Sequence, residues 1–259
     1  MAKPSTTFSW ERAIPLSVPW LLVATFGPSA VAFAGFHGVL PWLVTGGMPP
    51  VLAWPLVAGV ALTGFGLFGG WVLARDARLH GVSLRARLCL NPLSGRQWGL
   101  VGLIIVGMIA VMMGIMQLLP GWLAQIGFVI PDYMPFFLKG LNPATTPPEI
   151  LSPGYSLKGA YWMLFGMAYV LTLNILVEDL YFRAWMLPRM GWMGKWAWVV
   201  NGTLFAFYHT FQLWLLPVLL LGSLGFAFIV WKTRSVIPSL VAHLLLNLMN
   251  LVGMFTLIF

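Results

Sequence analysis

VLAWPLVAGVALTGFGLFGGWVLA, residues 51–74, contains no charged side chain. About 20 apolar residues are enough to cross the hydrocarbon core of a bilayer as a helix, so this stretch reads as a membrane span. Working outward, six further stretches come close to qualifying, at 14–36, 98–119, 159–176, 198–211, 213–231 and 236–259. The stretch at 159–176 runs on into the polar segment 178–189, and 198–211 is short. The expected fold is an all-α, polytopic transmembrane helical bundle of about seven spans, a single domain over residues 1–259. No internal repeat of the kind that marks many transporters is evident.

Composition supports that reading. Of 259 residues, 60% are hydrophobic and 8% are charged, and the mean hydropathy is +0.90. A soluble domain carries about 25% charged residues, so this chain lacks the polar surface that water requires. Its 14 Trp and 18 Phe suit the headgroup level, where aromatic rings collect. The net charge of +8 is not a nucleic-acid signal, because the basic residues are scattered between apolar runs and form no patch interleaved with aromatics. Cys89 is the one cysteine, which excludes an internal disulfide and a cysteine metal cluster. Residues 1–10 are polar and the first apolar run is long enough to span, so no cleavable signal peptide is expected.

Charge also orients the chain. Arg75, Arg78, Arg85, Arg87 and Arg96 lie between the second and third spans, with Asp76 as the only acid there. Arg183, Arg189 and Lys195 follow the fourth span; Lys232 and Arg234 follow the sixth. The alternate loops are neutral or balanced, which predicts an N-terminus inside and a C-terminus outside. Residues 121–158 carry six prolines and read as a Pro-rich outer loop, either a cap or re-entrant. The basic, Trp-rich PRMGWMGKW, residues 188–196, suits a short helix lying in the inner interface.

An ionisable side chain at span depth costs several kcal/mol and by default is paired, lines a cavity or does chemistry. Residues 159–259 hold several. Asp179 and Arg183, four apart, can pair on one helix face, leaving Glu178 on a face with Asn174 and Tyr181. Asn201, Phe205 and His209 recur at intervals of four on the fifth span. His243 and Asn247 do so on the seventh, with Ser239 and Asn250 extending the stripe. Any one of these could be a structural hydrogen bond between helices. Three polar stripes on three late spans point together to a shared inward site.

These residues also resemble the motifs of a known family. EDLYFR, residues 178–183, is similar to the E-E-x-x-x-R motif of the CPBP intramembrane proteases, the CAAX protease and bacteriocin-processing (Abi) group that includes type II CAAX prenyl endopeptidases. FAFYH, residues 205–209, matches the F-x-x-x-H motif, and HLLLN, residues 243–247, matches H-x-x-x-N/D. The likeness covers residues 171–250, and the first three spans contribute nothing specific to it. One position departs, with Asp179 where the family has a second Glu. As an anchor for Arg183 an Asp still reaches; if the position shapes the site, the shorter acid matters to activity.

The resemblance implies an integral, multi-pass protein of the bacterial inner (plasma) membrane that hydrolyses a peptide bond in a hydrophobic or lipidated, CAAX-like substrate. Glu178 is then the general base for water, which His209 helps to hold, while His243 and Asn247 stabilise the oxyanion, with Asp179 and Arg183 supporting. The resemblance favours a mechanism without a cofactor. A zinc site on Glu178, His209 and His243 is the alternative, although no H-E-x-x-H spacing is present. Expected partners are membrane lipid, the peptide substrate and other membrane subunits, with no nucleic acid. The rival readings are a catalytically idle subunit that scaffolds a membrane complex, and a proton-coupled transporter. There is one geometric difficulty. At 1.5 Å per residue His209 lies about 20 Å, and His243 about 10 Å, from the same membrane side. They meet only if 188–196 lies in the interface and a helix kinks or tilts.

Overall fold

The computed structural model describes residues 5–141, 143 and 145–259, with the side chains of Met249, Asn250 and Thr256 outside that description. Seven longer helices form: α1 (Val18–Ala34), α2 (Pro50–Leu79), α3 (Gly95–Gln125), α4 (Trp162–Glu178), α5 (Ala197–Tyr208), α6 (Leu216–Thr233) and α7 (Ile237–Ile258). No strand forms among the described residues; an isolated bridge joins Ser5 to Val82. Among the described residues, six runs are long and apolar enough to cross a membrane, one of them the 47-residue stretch Trp162–Tyr208. The chain is a polytopic membrane bundle.

That stretch is where seven apolar segments become six runs. As one straight helix it would reach about 70 Å, more than twice the roughly 30 Å of a bilayer core. It folds back instead. A π-helical widening at Asp179–Met186 ends α4, a 3₁₀ segment follows at Leu187–Trp196, and Gly194 (φ 57°, ψ −126°) breaks the helix before α5. Within Leu187–Trp196, Leu187 to Met190 are buried, while Trp192 and Trp196 are exposed as interface residues would be. The expected kink is therefore present, at Gly194 before α5.

Contacts between loops sort the chain into two ends. At one end Ser83 N–H donates to Ser5 O, Val236 N–H to Cys89 O and Leu16 N–H to Arg189 O. At the other, Gly159 N–H donates to Ile258 O and Trp214 Nε1–H to Leu138 O at 3.0 Å. The chain thus runs back and forth seven times, although α5 with 12 residues covers only about 18 Å. The basic loops share the first end. There Asp76, at the foot of α2, is buried between Arg87 and Arg189 and accepts hydrogen bonds from both.

The Pro-rich segment begins five residues later than the sequence suggests, since α3 continues to Gln125. Beyond it, Met134, Phe136, Leu151 and Leu157 are buried against the far end of the bundle, so this segment is a folded cap. α5 and α6 pack closely at Gly202. A methyl group on Gly202 would stand 2.8 Å from Leu224 Cα and 2.9 Å from Ser223 O, so only glycine fits at that crossing.

Candidate active site

A cavity of about 1640 Å³ opens between the helices. Its walls are mostly apolar, with Phe65 and Phe68 of α2 and Met112 and Met116 of α3 among the lining side chains. Glu178, His209, His243 and Asn247 all line it, as do Asn174 and Tyr181, the residues expected on the Glu178 face. Polar residues from α4, from the end of α5 and from α7 therefore reach one space.

Glu178 closes α4 and is 3% exposed. Its Oε1 stands 3.7 Å from His209 Nε2, too long for a direct hydrogen bond and close enough for a shared water. His209 follows the last residue of α5 and leaves helical geometry (φ −82°, ψ 44°). Its Nδ1–H donates to Phe205 O at 2.9 Å. A carbonyl can only accept, which fixes the tautomer and turns the Nε2 lone pair toward Glu178.

His243 is oriented in a parallel way, by a different partner. Its Nδ1 donates to Asp179 Oδ2 at 2.9 Å, and Ser239 Oγ–H donates to Oδ1 of the same carboxylate. The ion pair expected between Asp179 and Arg183 is present, and the structure gives the carboxylate a further partner in His243. Asp179 does approach Arg183, Nε to Oδ1 at 3.7 Å, yet no nitrogen of Arg183 makes a hydrogen bond among the described residues. The fully buried guanidinium lies instead over the Phe205 ring, 3.7 Å from its centroid. Asp179 holds His243 first and Arg183 second, because the widened turn swings it toward α7.

Asn247 Nδ2–H donates to Asn174 Oδ1 at 3.0 Å, linking α7 to α4 beside Glu178. Asn201 departs from the expected stripe: it is buried away from the cavity and donates to Phe182 O at 2.9 Å, inside the widened turn. The Asn250 side chain lies outside the described residues. Among the described residues, no group of three His, Cys, Asp or Glu is arranged to hold a metal ion.

Some cavity residues carried no signal of their own in sequence. Tyr208 lines the wall beside His209, with its ring against His209 and Phe211. Gln212 and Ser223 add polar groups. Tyr181 Oη–H donates to Ala24 O of α1 at 3.0 Å, so the N-terminal helices also shape the site.

Comparison with curated proteins and with solved structures yields no match. The model of one protein family, described as type II CAAX prenyl endopeptidase Rce1-like, does match, over residues 160–249. That interval runs from the start of α4 to past Asn247, so the part of the chain that is similar to this family is the part that contributes Glu178, His209, His243 and Asn247 to the cavity.

Proposed function

We propose that the protein is an intramembrane endopeptidase of the CPBP type, acting on a hydrophobic or lipidated, CAAX-like peptide at the membrane. One observation carries this reading: a buried carboxylate faces an imidazole across 3.7 Å on the wall of a large apolar cavity. That gap suits a water held between Glu178 and the lone pair of His209 Nε2. Glu178 takes the proton of this water as it attacks the scissile carbonyl. His243, with Asp179 behind it, and Asn247 donate to the developing oxyanion. The Asp179 carboxylate compensates the charge that the ring carries while Nε2–H donates. Asn247 has only to exchange its bond to Asn174 for one to the oxyanion. The proton held by Glu178 then passes to the leaving amine, with His209 assisting.

The reaction needs no metal on this reading, so it survives strong chelators, and purified protein contains no stoichiometric zinc. Bound zinc, with activity lost on chelation, would overturn that part. We further propose that the basic end faces the inside of a bacterial inner membrane, where positive loops are retained. The decisive experiment compares the C-termini of the membrane proteome with wild-type protein and with Glu178→Ala. Peptides cleaved only by wild type, at equal expression of the two, support the protease. An unchanged set of C-termini removes it in favour of a scaffolding role.

A further inference from the structure

A second polar cluster reaches the chain just after His209 from residues outside the Rce1-like interval, namely Ser29, His37 and Tyr133. α1 passes into a π-helical segment, Gly35–Val39, and insertions of this kind re-aim side chains and recur at functional sites. His37 lies in the middle of this segment. Its Nε2 lies 3.1 Å from Phe211 O and its Nδ1 lies 2.8 Å from Tyr133 Oη. Because a carbonyl can only accept, Nε2 carries the hydrogen, and in the neutral ring Nδ1 accepts from the tyrosine. Burial lifts the Tyr133 phenol above its ordinary pKa, which keeps that donor protonated. Two turns earlier on α1, Ser29 Oγ and Thr210 Oγ1 share a hydrogen bond of 2.7 Å.

These bonds converge on a short and irregular piece of chain. His209 has left the helix, and Gln212 is also non-helical (φ −146°, ψ 47°). The turn that starts at His209 is a short 3₁₀ segment, Thr210–Leu215, kinked at Gln212, and not a continuation of α5. Ser29 grips it at Thr210 and His37 grips it at Phe211, one and two residues beyond the imidazole that faces Glu178. Tyr133 belongs to the folded cap, so cap, α1 and the His209 turn form one chain of oriented hydrogen bonds.

We propose that His37, supported by Ser29 and Tyr133, is a positioning residue that holds the His209 turn in register with Glu178, so that docking of the Pro-rich cap is felt at the site. The catalytic part of this inference rests on the proteolytic reading; the mechanical part does not. The test uses full-length protein in detergent, as wild type, His37→Leu, which removes both hydrogen bonds, and His37→Gln, whose amide keeps a donor and an acceptor.

Two quantities are read. One is backbone hydrogen exchange over residues 209–215; the other is kcat and KM on an internally quenched peptide ending in a farnesylated CAAX-type sequence. In His37→Leu, exchange over 209–215 rises by about fivefold, as the loss of one hydrogen bond allows, while exchange in α2 and α3 is unchanged. In the same variant kcat falls by up to about 10²-fold, the scale of a small misplacement, with KM held; His37→Gln restores both. Unchanged exchange at 209–215 in His37→Leu overturns the proposal, as does faster exchange with kcat intact. Faster exchange throughout the protein, unrescued by Gln, also overturns it by reducing His37 to general packing. If wild type leaves the peptide uncut while Glu178→Ala is also inert, proteolysis of this substrate class fails, and local exchange with its rescue by Gln alone decides whether the clamp exists.

Discussion

Asp179 answers to three partners at once. It accepts from His243 and from Ser239, and it is the nearest acid to the buried Arg183. An Asn at this position keeps the shape but loses the charge, and its single oxygen can no longer serve as two separate acceptors. Breaking a buried charge pair by neutralising one side costs about 3–5 kcal/mol. Asp179→Asn should therefore lower the unfolding midpoint in detergent clearly and reduce turnover as well, since His243 loses its orienting carboxylate. Unfolding monitored by intrinsic fluorescence checks the first outcome. A midpoint equal to wild type would mean that Arg183 finds its compensation at Glu178. The sequence made Asp179 visible but not its choice of partner. Spacing of four pointed to Arg183, and only the folded turn brings the carboxylate to His243.

The apolar runs were legible because lipid demands continuous helices of known length. The motif residues were legible because helical spacing puts i and i+4 on one face. The widened turn at Asp179–Met186 was not, since DLYFRAWM contains neither Gly nor Pro and reads as plain helix. It is held open from outside: Asn201 donates to Phe182 O, and Arg87 to Ala184 O and Trp185 O. Three carbonyls of this turn gain donors that are remote in sequence, which no local pattern encodes. At the same scale, Gly202 marks the α5–α6 crossing. Gly202→Ala sets a methyl against backbone atoms that cannot rotate away, and overpacking of this kind costs about 1–3 kcal/mol. Because His209 directly follows α5 and Ser223 sits on α6, activity should fall with stability. Gly166→Ala is the matched control, as nothing lies within 4 Å of its added methyl. Thermal unfolding of the two variants side by side distinguishes crowding at one crossing from a general intolerance of α-methyl groups.

Across the whole molecule, the basic residues carry two duties that their sequence positions do not separate. Read as loop charges, Arg87 and Arg189 are orientation signals. In the fold Arg87 is fully buried, Arg189 nearly so, and both are bound to Asp76. Arg87 reaches from there to the carbonyls of the widened turn, and Arg189 Nη1–H donates to Ile14 O at 3.1 Å. One carboxylate at the foot of α2 thus joins the N-terminal segment, the loop before α3 and the folded-back middle of the chain. Neutralising it leaves two guanidiniums buried side by side, repelling each other where solvent screens little. Asp76→Asn should cost about 3–5 kcal/mol, at least as much as losing the charge at Asp179. It should also reach the site indirectly, because Arg87 drawn outward releases the turn that carries Asp179. Arg87→Met in the Asp76→Asn background removes one of the repelling charges, so it should recover part of the lost stability without restoring turnover. Equal midpoints for wild type and Asp76→Asn would show instead that the two arginines reach water once their partner is gone, and that the fold does not depend on the cluster.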